Sequence, residues 1–380
     1  MKKIFVSGCF DLLHSGHIEF LNQAASYGEL YVSIGSDKTI LKLKEKKPVF
    51  NQDERKFMIE SLKGVKKAFI AKGEGLLDFL EELKEIKPDC FIVNEEGHIE
   101  EKEELCKRLG IEYKILKRIP KEGLPQRSAT KILEGSVPYR IDLAGGWLDQ
   151  PFVSELSSGP VIVISIEPEI EFSKRSGMAT STREIAKGLV KKGLILHDEE
   201  NAKILFGLEN PPGKKEIAGS QDSLGIVLPG LSYLYYKGTY WPEKIVRCTD
   251  EEILSWLEEK IYLIPLGSRE NGFDVLSGKN LNIPAAKKLS ESAEKVFQAI
   301  LRKDVLSLGK YFTESFNAQI NLFPDMVNKE ILDVIEKYKS RAFGWKISGA
   351  GGGGYLILIS ENPIKDALKI KIRRGLFFDR

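Results

Sequence analysis

Gly8-Cys9-Phe10-Asp11-Leu12-Leu13-His14-Ser15-Gly16-His17 decides how this chain is read. It follows an apolar run, Ile4-Phe5-Val6, that predicts a strand, and it precedes an amphipathic pattern over residues 18–25 that predicts a helix. Two imidazoles three residues apart around a glycine put neutral-to-cationic donors at the turn, where the helix dipole and free backbone N–H groups already favour an anion. The segment reads as a phosphate site. Taken alone, an H-x-G-H string fits a satisfied or solvated histidine equally well; its place after a first strand favours the phosphate.

Outward from that turn, strand-like runs at 4–6, 30–34, 68–70, 90–93 and 113–116 alternate with helical patterns at 18–25, 52–62, 75–86 and 102–109. Such alternation predicts a doubly wound, Rossmann-like parallel sheet with right-handed crossovers, whose ligands gather at the carboxyl ends of the strands. The Pro- and Gly-containing stretch 119–125, a short helical piece at 128–133 and Gly135 mark a boundary. A second domain is expected from residue 136, denser in glycine at 144–146, 176–177 and 349–354.

The length, 380 residues, suffices for two separately cored domains. With 42% apolar and 29% charged residues the composition is soluble and globular, and no apolar run approaches the roughly 18 residues of a membrane span. The N-terminus enters a strand without an apolar signal region, so a cytoplasmic protein without a membrane partner is expected. Cys9, Cys90, Cys106 and Cys248 lack C-x-x-C spacing and read as free thiols. A net charge of +2 gives no basis for a nucleic-acid surface, so small anions are the expected ligands.

GCFDLLHSGHIEFL resembles the signature of the cytidylyltransferase-like nucleotidyltransferases. The resemblance implies that His14 and His17 stabilise charge developing on the α-phosphate of CTP or ATP, with the backbone of Gly8, Cys9 and Phe10 beside the triphosphate. Asp11 reads equally as a turn residue. A basic residue after the second strand holds phosphates in that family; Lys46 is the candidate, with Lys44 or Lys47 as alternatives and a plain surface lysine as the competitor. Arg55 matches an arginine on the next helix, or a solvated helix face. Gln126-Arg127-Ser128-Ala129-Thr130 resembles the family's R-[ST]-x-[ST] element, so Arg127, Ser128 and Thr130 are expected at the nucleotide, although a simple N-cap would look the same. Val93-Asn94-Glu95-Glu96-Gly97-His98 departs from the family's V-K-G pattern, which bears on base and acceptor choice; CTP is favoured over ATP.

Ser136-Val137-Pro138-Tyr139-Arg140-Ile141-Asp142-Leu143-Ala144-Gly145-Gly146-Trp147-Leu148-Asp149 resembles the first motif of the GHMP small-molecule kinases, closest to the fucokinase and heptose-kinase branch. The resemblance implies an α+β domain in which Arg140, Gly146 and Asp149 bind the substrate. Ser176-Gly177-Met178-Ala179-Thr180-Ser181-Thr182 resembles the second motif, with Ser176, Gly177, Thr180 and Ser181 at the ATP phosphates. Gly219-Ser220-Gln221-Asp222 resembles the segment that carries the general base, here Asp222. The glycine run after Lys346-Ile347-Ser348 resembles the third motif, with Gly349, Gly351 and Gly352 at the nucleotide. Met178-Ala179 replaces the usual Leu-Gly, and the interval between the first two motifs is short. Glu209 is the candidate magnesium ligand, against a solvated loop charge.

Together the motifs imply a cytidylyltransferase-like domain over 1–134 and a GHMP-kinase-like domain over 136–380. The expected protein is a magnesium-dependent bifunctional enzyme that phosphorylates a sugar or polyol and joins the phosphate to a nucleotide with release of pyrophosphate. A monofunctional transferase with a degenerate, substrate-binding kinase half is the first alternative, and a non-catalytic nucleotide or sugar sensor the second. Related transferases are often dimers, so a homodimer is expected.

Overall fold

The computed structural model describes residues 1–44, 47–117, 119–194, 196–267, 269 and 273–375. The chain divides into two units, Met1–Glu134 with Lys191–Leu194, and Gly135–Val190 with Ile195–Arg380.

In the first unit β1 (Lys3–Gly8), β2 (Glu29–Ile34), β3 (Val65–Ile70), β4 (Cys90–Asn94) and β5 (Glu112–Leu116) form one sheet in the order β3-β2-β1-β4-β5. Every pairing is parallel, with Val6 opposite Val32 and Phe5 opposite Phe91. Because strand side chains alternate, Ile4 and Val6 feed one core with Leu21, Val32 and Ile92, while Phe5 feeds the other with Phe79, Leu83 and Phe91. The helices are α1 (Ser15–Ala25), α2 (Asp37–Lys44), α3 (Gln52–Glu60), α4 (Leu80–Ile86), α5 (Glu100–Leu109) and α6 (Ala129–Gly135). Strand order reverses between β1 and β4, so the chain leaving β1 enters the crevice that such sheets offer to ligands.

Two local expectations are corrected. The helix expected over 75–86 begins only at Leu80, because residues 75–79 form turns around Gly75 at φ +85. A further helix, α2, was not expected; its first turn is held by Thr39 N donating to Ser36 Oγ at 3.1 Å.

The second unit builds two antiparallel sheets. The first runs β6 (Tyr139–Ala144), β7 (Gly159–Ile166), β8 (Leu231–Tyr236), β9 (Lys244–Cys248) in that order. The second contains β10 (Ile261–Gly267), β11 (Gly344–Ile347) and β12 (Gly354–Ile359), with β12 central. Around them lie α7 (Pro151–Ser154), α8 (Thr180–Lys191), α9 (Glu199–Glu209), α10 (Gln221–Val227), α11 (Glu251–Lys260), α12 (Ile283–Leu301), α13 (Val305–Leu322) and α14 (Lys329–Tyr338). β6 and β7 are buried at every position, and Ile141, Ile162 and Ile164 pack with Val296, Phe312 and Ile357 in one core. Cys9, Cys90, Cys106 and Cys248 are free thiols. Among the described residues no helix is long and apolar enough to cross a membrane.

Candidate active sites

In the first unit the imidazoles sit where β1 hands over to α1. His14 is the N-cap of α1, and its Nδ1 accepts the Gly16 N–H at 3.1 Å. Accepting at Nδ1 leaves Nε2 as the N–H donor of the neutral ring. The His17 ring stacks on His14 with centroids 3.9 Å apart and meets the edge of Phe10 at 5.5 Å. The two rings therefore act as one rigid pair beside a helix N-terminus. Phe10 and Leu12 both take φ +50, a left-handed conformation that turns the chain sharply between β1 and α1.

The surrounding polar residues divide into scaffold and cleft. Asp11 accepts from Val49 N at 3.0 Å and Phe50 N at 3.1 Å, so it pins the chain after α2 to the loop after β1. Arg55 is fully buried; its guanidinium donates to the carbonyls of Cys9, Gly35 (2.9 Å) and Phe50 (3.0 Å) and to Asp37 Oδ1 at 2.7 Å. Arg55 does lie on the next helix, α3, but not on a solvated face: it is buried and ties together the loops after β1 and β2. Gly8 accepts from Gly35 N at 3.1 Å within the same frame.

A shallow cleft opens beside α1, lined by Ser15, Gly16, Asn94, Pro120, Gln126 and Arg127 among others. Ser128 Oγ accepts from Lys131 N at 3.2 Å as an N-cap, and Thr130 follows in α6. The departing segment after β4 is a capped turn, Asn94 Oδ1 accepting Gly97 N at 2.8 Å, which sets Asn94 at the cleft wall. Lys46 lies outside the described residues.

The second unit holds a cavity of about 380 Å³. Arg140 from β6, Asp149 from the turn after it and Asp222 from the first turn of α10 all line it, and a guanidinium Nη of Arg140 is paired with Asp222. Arg140 and Asp149 are buried. Burial pulls the Arg140 guanidinium below its ordinary range, against the charges of Asp142 and Asp149. Burial pushes the Asp149 carboxyl up to about 6, with Arg140 opposing. Asp149 accepts Gln221 Nε2 at 3.1 Å. α10 can approach β6 because residue 225 is glycine: a Cβ there would collide with Arg140 Cγ. Arg140 Nε and Nη1, Gln221 Oε1 and Gln319 Oε1 are buried without a hydrogen-bond partner among the described residues. Buried polar groups left open in this way around a cavity are what a polyhydroxyl ligand satisfies.

The two loops expected at the nucleotide meet back to back. Gly177 at φ +76 and Gly349 at φ +55 are in such close approach that a Cβ on either would strike the other's backbone. Gly177, Thr180, Ser181 and Gly349 line the cavity, as does Gly146, whose carbonyl accepts Gln319 Nε2 at 3.2 Å. Ser176, Gly351 and Gly352 are not on the cavity wall. Ser176 is fully buried with its carbonyl taken by Ser348 Oγ, and Gly352 N donates to Met326 O at 2.8 Å. These three hold the loops in shape. Met178 is core, and Ala179 takes φ +55, the left-handed position that a glycine fills without strain.

Glu209 ends α9 rather than lying in a solvated loop. Its Oε1 accepts Thr182 Oγ1 at 2.7 Å, its Oε2 is buried without a partner among the described residues, and burial raises its carboxyl. Sequence reasoning missed the Lys346–Asp142 pair, fully buried at Lys346, with Nζ 2.8 Å from Asp142 Oδ2 and 3.0 Å from Asp142 O. It straps β11 to β6 two residues from Arg140, and Asp142 is itself on the cavity wall. Arg175 and Arg269 on the cavity wall were missed as well.

Comparison with known proteins follows the same division. The cytidylyltransferase-like family model matches residues 5–135, and the GHMP kinases C-terminal model matches residues 296–371. The FAD synthase of Aciduliprofundum boonei is 34% identical over 145 residues, covering 37% of this chain and 94% of that protein. The bifunctional protein HldE of Aliarcobacter butzleri is 35% identical over 118 residues, covering 30% of this chain and 24% of that protein. The structure of a D-glycero-D-manno-heptose 1-phosphate kinase from Bacteriodes thetaiotaomicron is 16% identical with a TM-score of 0.45, covering 63% of this chain and 95% of that one.

Proposed function

We propose that this chain, which belongs to the cytidylyltransferase-like family through residues 5–135, is a bifunctional sugar or polyol kinase and nucleotidyltransferase, the transferase occupying 1–134 and the kinase 136–380. The observation that carries the kinase half is the cavity in which Arg140 is paired with Asp222 beside buried Asp149, ringed by polar atoms that lack partners among the described residues.

In the kinase reaction Asp149 accepts a hydrogen bond from a sugar hydroxyl and orients the ring. Asp222, held by Arg140, takes the proton of the reacting hydroxyl. The hydroxyl oxygen bonds to the γ-phosphorus of ATP, the bond from that phosphorus to the β,γ-bridging oxygen breaks, and ADP leaves. The N–H groups of the loop at Gly177, Thr180 and Ser181 cradle the phosphates. In the transferase reaction an anionic oxygen of the sugar phosphate bonds to the α-phosphorus of CTP or ATP and pyrophosphate departs. His14 and His17 donate to the α-phosphate oxygens as charge builds there, and Gly8, Cys9, Phe10, Arg127, Ser128 and Thr130 border the nucleotide.

Magnesium fits both steps. Among the described residues no group of three or more His, Cys, Asp or Glu gathers to hold a metal alone, as suits an ion held largely by phosphate oxygens and water. In the kinase half Glu209 would hold it through Oε2, which is buried without a partner among the described residues, while its Oε1 accepts Thr182 Oγ1, next in sequence to Ser181 on the cavity wall. When bound, the ion neutralises phosphate charge. FAD contains an adenylyl group, and a relative named FAD synthase makes ATP a nucleotide to test beside CTP.

The test incubates the full chain with ATP and a panel of sugars, polyols and their phosphates, reading ADP, and separately with CTP or ATP and sugar phosphates, reading pyrophosphate and product mass. Both releases are expected. Pyrophosphate without ADP from any acceptor would reduce the protein to a transferase with a degenerate kinase half; neither release, with intact nucleotide binding, would make it a sensor.

A further inference from the structure

The turn that leads to Asp149 is gripped residue by residue from one face of α13. Ser315, Gln319 and Phe323, spaced four apart along the end of that helix and its C-cap, are all fully buried. Ser315 Oγ accepts Gly145 N at 3.0 Å, Gln319 Nε2 donates to Gly146 O at 3.2 Å, and the Phe323 ring stacks on Trp147 with centroids 4.4 Å apart. Trp147 is thereby held at φ +79, a left-handed conformation that a bulky side chain keeps only where its surroundings impose it. The half-buried indole lies on the cavity wall and Phe323 does not, so the cavity meets the part of the indole that Phe323 leaves free. Beside it, Gln319 Oε1 and Asp142 Oδ1 are buried without a hydrogen-bond partner among the described residues, and both side chains line the cavity. Gly146 fits between them because it has no side chain: a Cβ there would strike Asp142 Oδ2 and Gln319 Nε2.

An aromatic surface adjoining bare acceptor oxygens does not suit a phosphate, which seeks donors. It suits a ring sugar, whose apolar C–H face an indole covers and whose rim hydroxyls donate to open oxygens. An open-chain polyol offers no such fixed face and must be frozen into one of many conformations to bind. We propose that Trp147 and Gln319 are specificity-determining residues for the acceptor: the indole covers the C–H face of a closed-ring sugar and Gln319 Oε1 accepts one of its hydroxyls, so that rings are selected over open chains. The inference rests on the kinase reading of this cavity. The chemistry is unchanged, with Asp222 taking the proton of the reacting hydroxyl, the γ-phosphoryl group passing to that oxygen and ADP leaving; Trp147 and Gln319 only place the ring.

The test compares ring sugars with the alditols of the same skeleton in the full chain, mannose with mannitol, galactose with galactitol and xylose with xylitol, reading ADP release, calorimetric binding and tryptophan fluorescence. At least one ring sugar is expected to exceed its alditol about 30-fold in kcat/KM and to shift the fluorescence on binding. Trp147→Leu should raise KM for that sugar about tenfold and leave KM for ATP within about twofold, while Trp147→Phe recovers part of the binding without the fluorescence shift. Among monodeoxy analogues of the preferred sugar, one should lose about tenfold with the wild type and nothing further with Gln319→Met, whereas a merely structural Gln319 would weaken every analogue alike and overturn its part. Equal use of rings and alditols overturns the proposal and leaves the kinase standing. Variants that raise KM for ATP alone overturn it too, placing the nucleotide against the indole. No ADP from any probe, with a ring sugar whose binding shifts the fluorescence in the wild type and not in Trp147→Phe, sinks the kinase reading but keeps the ring platform. No ADP and no binding of any ring sugar sinks both.

Discussion

Replacing Lys346 by Met should destabilise the second unit by an amount that depends on pH in a calculable way. Lys346 is fully buried, Asp142 nearly so, and the ammonium makes both a 2.8 Å contact to the carboxylate and a 3.0 Å contact to the Asp142 carbonyl. Burial, and to a lesser extent the charge of Arg140, lower the Lys346 ammonium, and the facing carboxylate opposes them. Without the lysine, Asp142 keeps only the through-space attraction of the buried Arg140, which is shared with Asp149 and Asp222, and its Oδ1 has no hydrogen-bond partner among the described residues even in the wild type. The cheapest escape is to take up a proton. From an unfolded-state value of about 3.9, holding that proton at pH 7 costs about 4 kcal/mol, since each pH unit is worth about 1.4 kcal/mol. The folded variant binds a proton that its unfolded chain does not, so its stability falls as pH rises. The penalty should be about 3 kcal/mol at pH 6 and 4 at pH 7. Asp142→Leu combined with Lys346→Met should recover most of the loss, because a buried ion pair adds little over a well-packed apolar one. Urea unfolding followed by tryptophan fluorescence is the assay, because Trp147, Trp241, Trp256 and Trp345 are all the tryptophans in the chain and all belong to the second unit. A Lys346→Met penalty under about 1 kcal/mol at pH 7, or one that does not change between pH 6 and pH 8, would refute the reasoning.

His14→Ala and His17→Ala should each cut pyrophosphate release about 100- to 1,000-fold while ADP release continues; undiminished pyrophosphate release from either would remove the pair from the transferase reaction. Gly225→Ala, whose methyl group meets Arg140 Cγ, should turn the guanidinium away from Asp222, lower kcat for ADP release about 100-fold and leave pyrophosphate release intact. Asp149 sits at about 6, and its carboxylate form is the one that accepts a sugar hydroxyl, so kcat/KM of the kinase should climb tenfold per pH unit up to about 6 and level above it, a limb that Asp149→Asn abolishes. The same raised value stabilises the fold below the ordinary carboxylate range and is lost as pH rises through about 6, so Asp149→Asn should flatten wild-type stability in that window. Arg55→Lys, which cannot reach three carbonyls and Asp37 at once, should cost roughly 3 kcal/mol and loosen hydrogen exchange in β1; a change confined to nucleotide KM would return Arg55 to the phosphate.

The parallel sheet was legible because β1, β2 and β4 are continuous apolar runs, as strands covered on both faces must be. α2 was hidden because its sequence, DKTILKLK, buries only Thr39 and Ile40 and is otherwise exposed, leaving a weak period. The motifs of the second unit picked out Arg140, Asp149 and Asp222, which the fold gathers on one cavity wall. What no local pattern could show is pairing across the chain: Lys346, the one charge of β11, and Asp142, which shares β6 with Arg140, lie 204 positions apart. Arg55 was ambiguous for the same reason. A fully buried arginine and a surface one read identically until its acceptors, supplied by the loops after β1 and β2, are placed around it.

The two units differ in their charges as their chemistries require. In the transferase step the nucleophile is a phosphate oxygen, already anionic near neutral pH, so the site needs donors for the developing charge and no base. The first unit matches this: His14 and His17 stack at the helix start, while the nearby carboxylate, Asp11, has its oxygens spent on Val49 N and Phe50 N. In the proposed kinase step the nucleophile is a neutral hydroxyl that must lose a proton as it attacks, so a carboxylate within reach is indispensable. Asp222, paired with Arg140 on the cavity wall, is the carboxylate placed for it, and the Lys346–Asp142 pair joins β11 to β6, the strand that carries Arg140. It follows that Asp222→Asn should abolish ADP release, whereas Asp11→Asn, whose side-chain oxygen can still accept a backbone N–H, should keep most pyrophosphate release. The reverse pattern would mean that the base works in the first unit, and that the division of labour argued from the two sites is wrong.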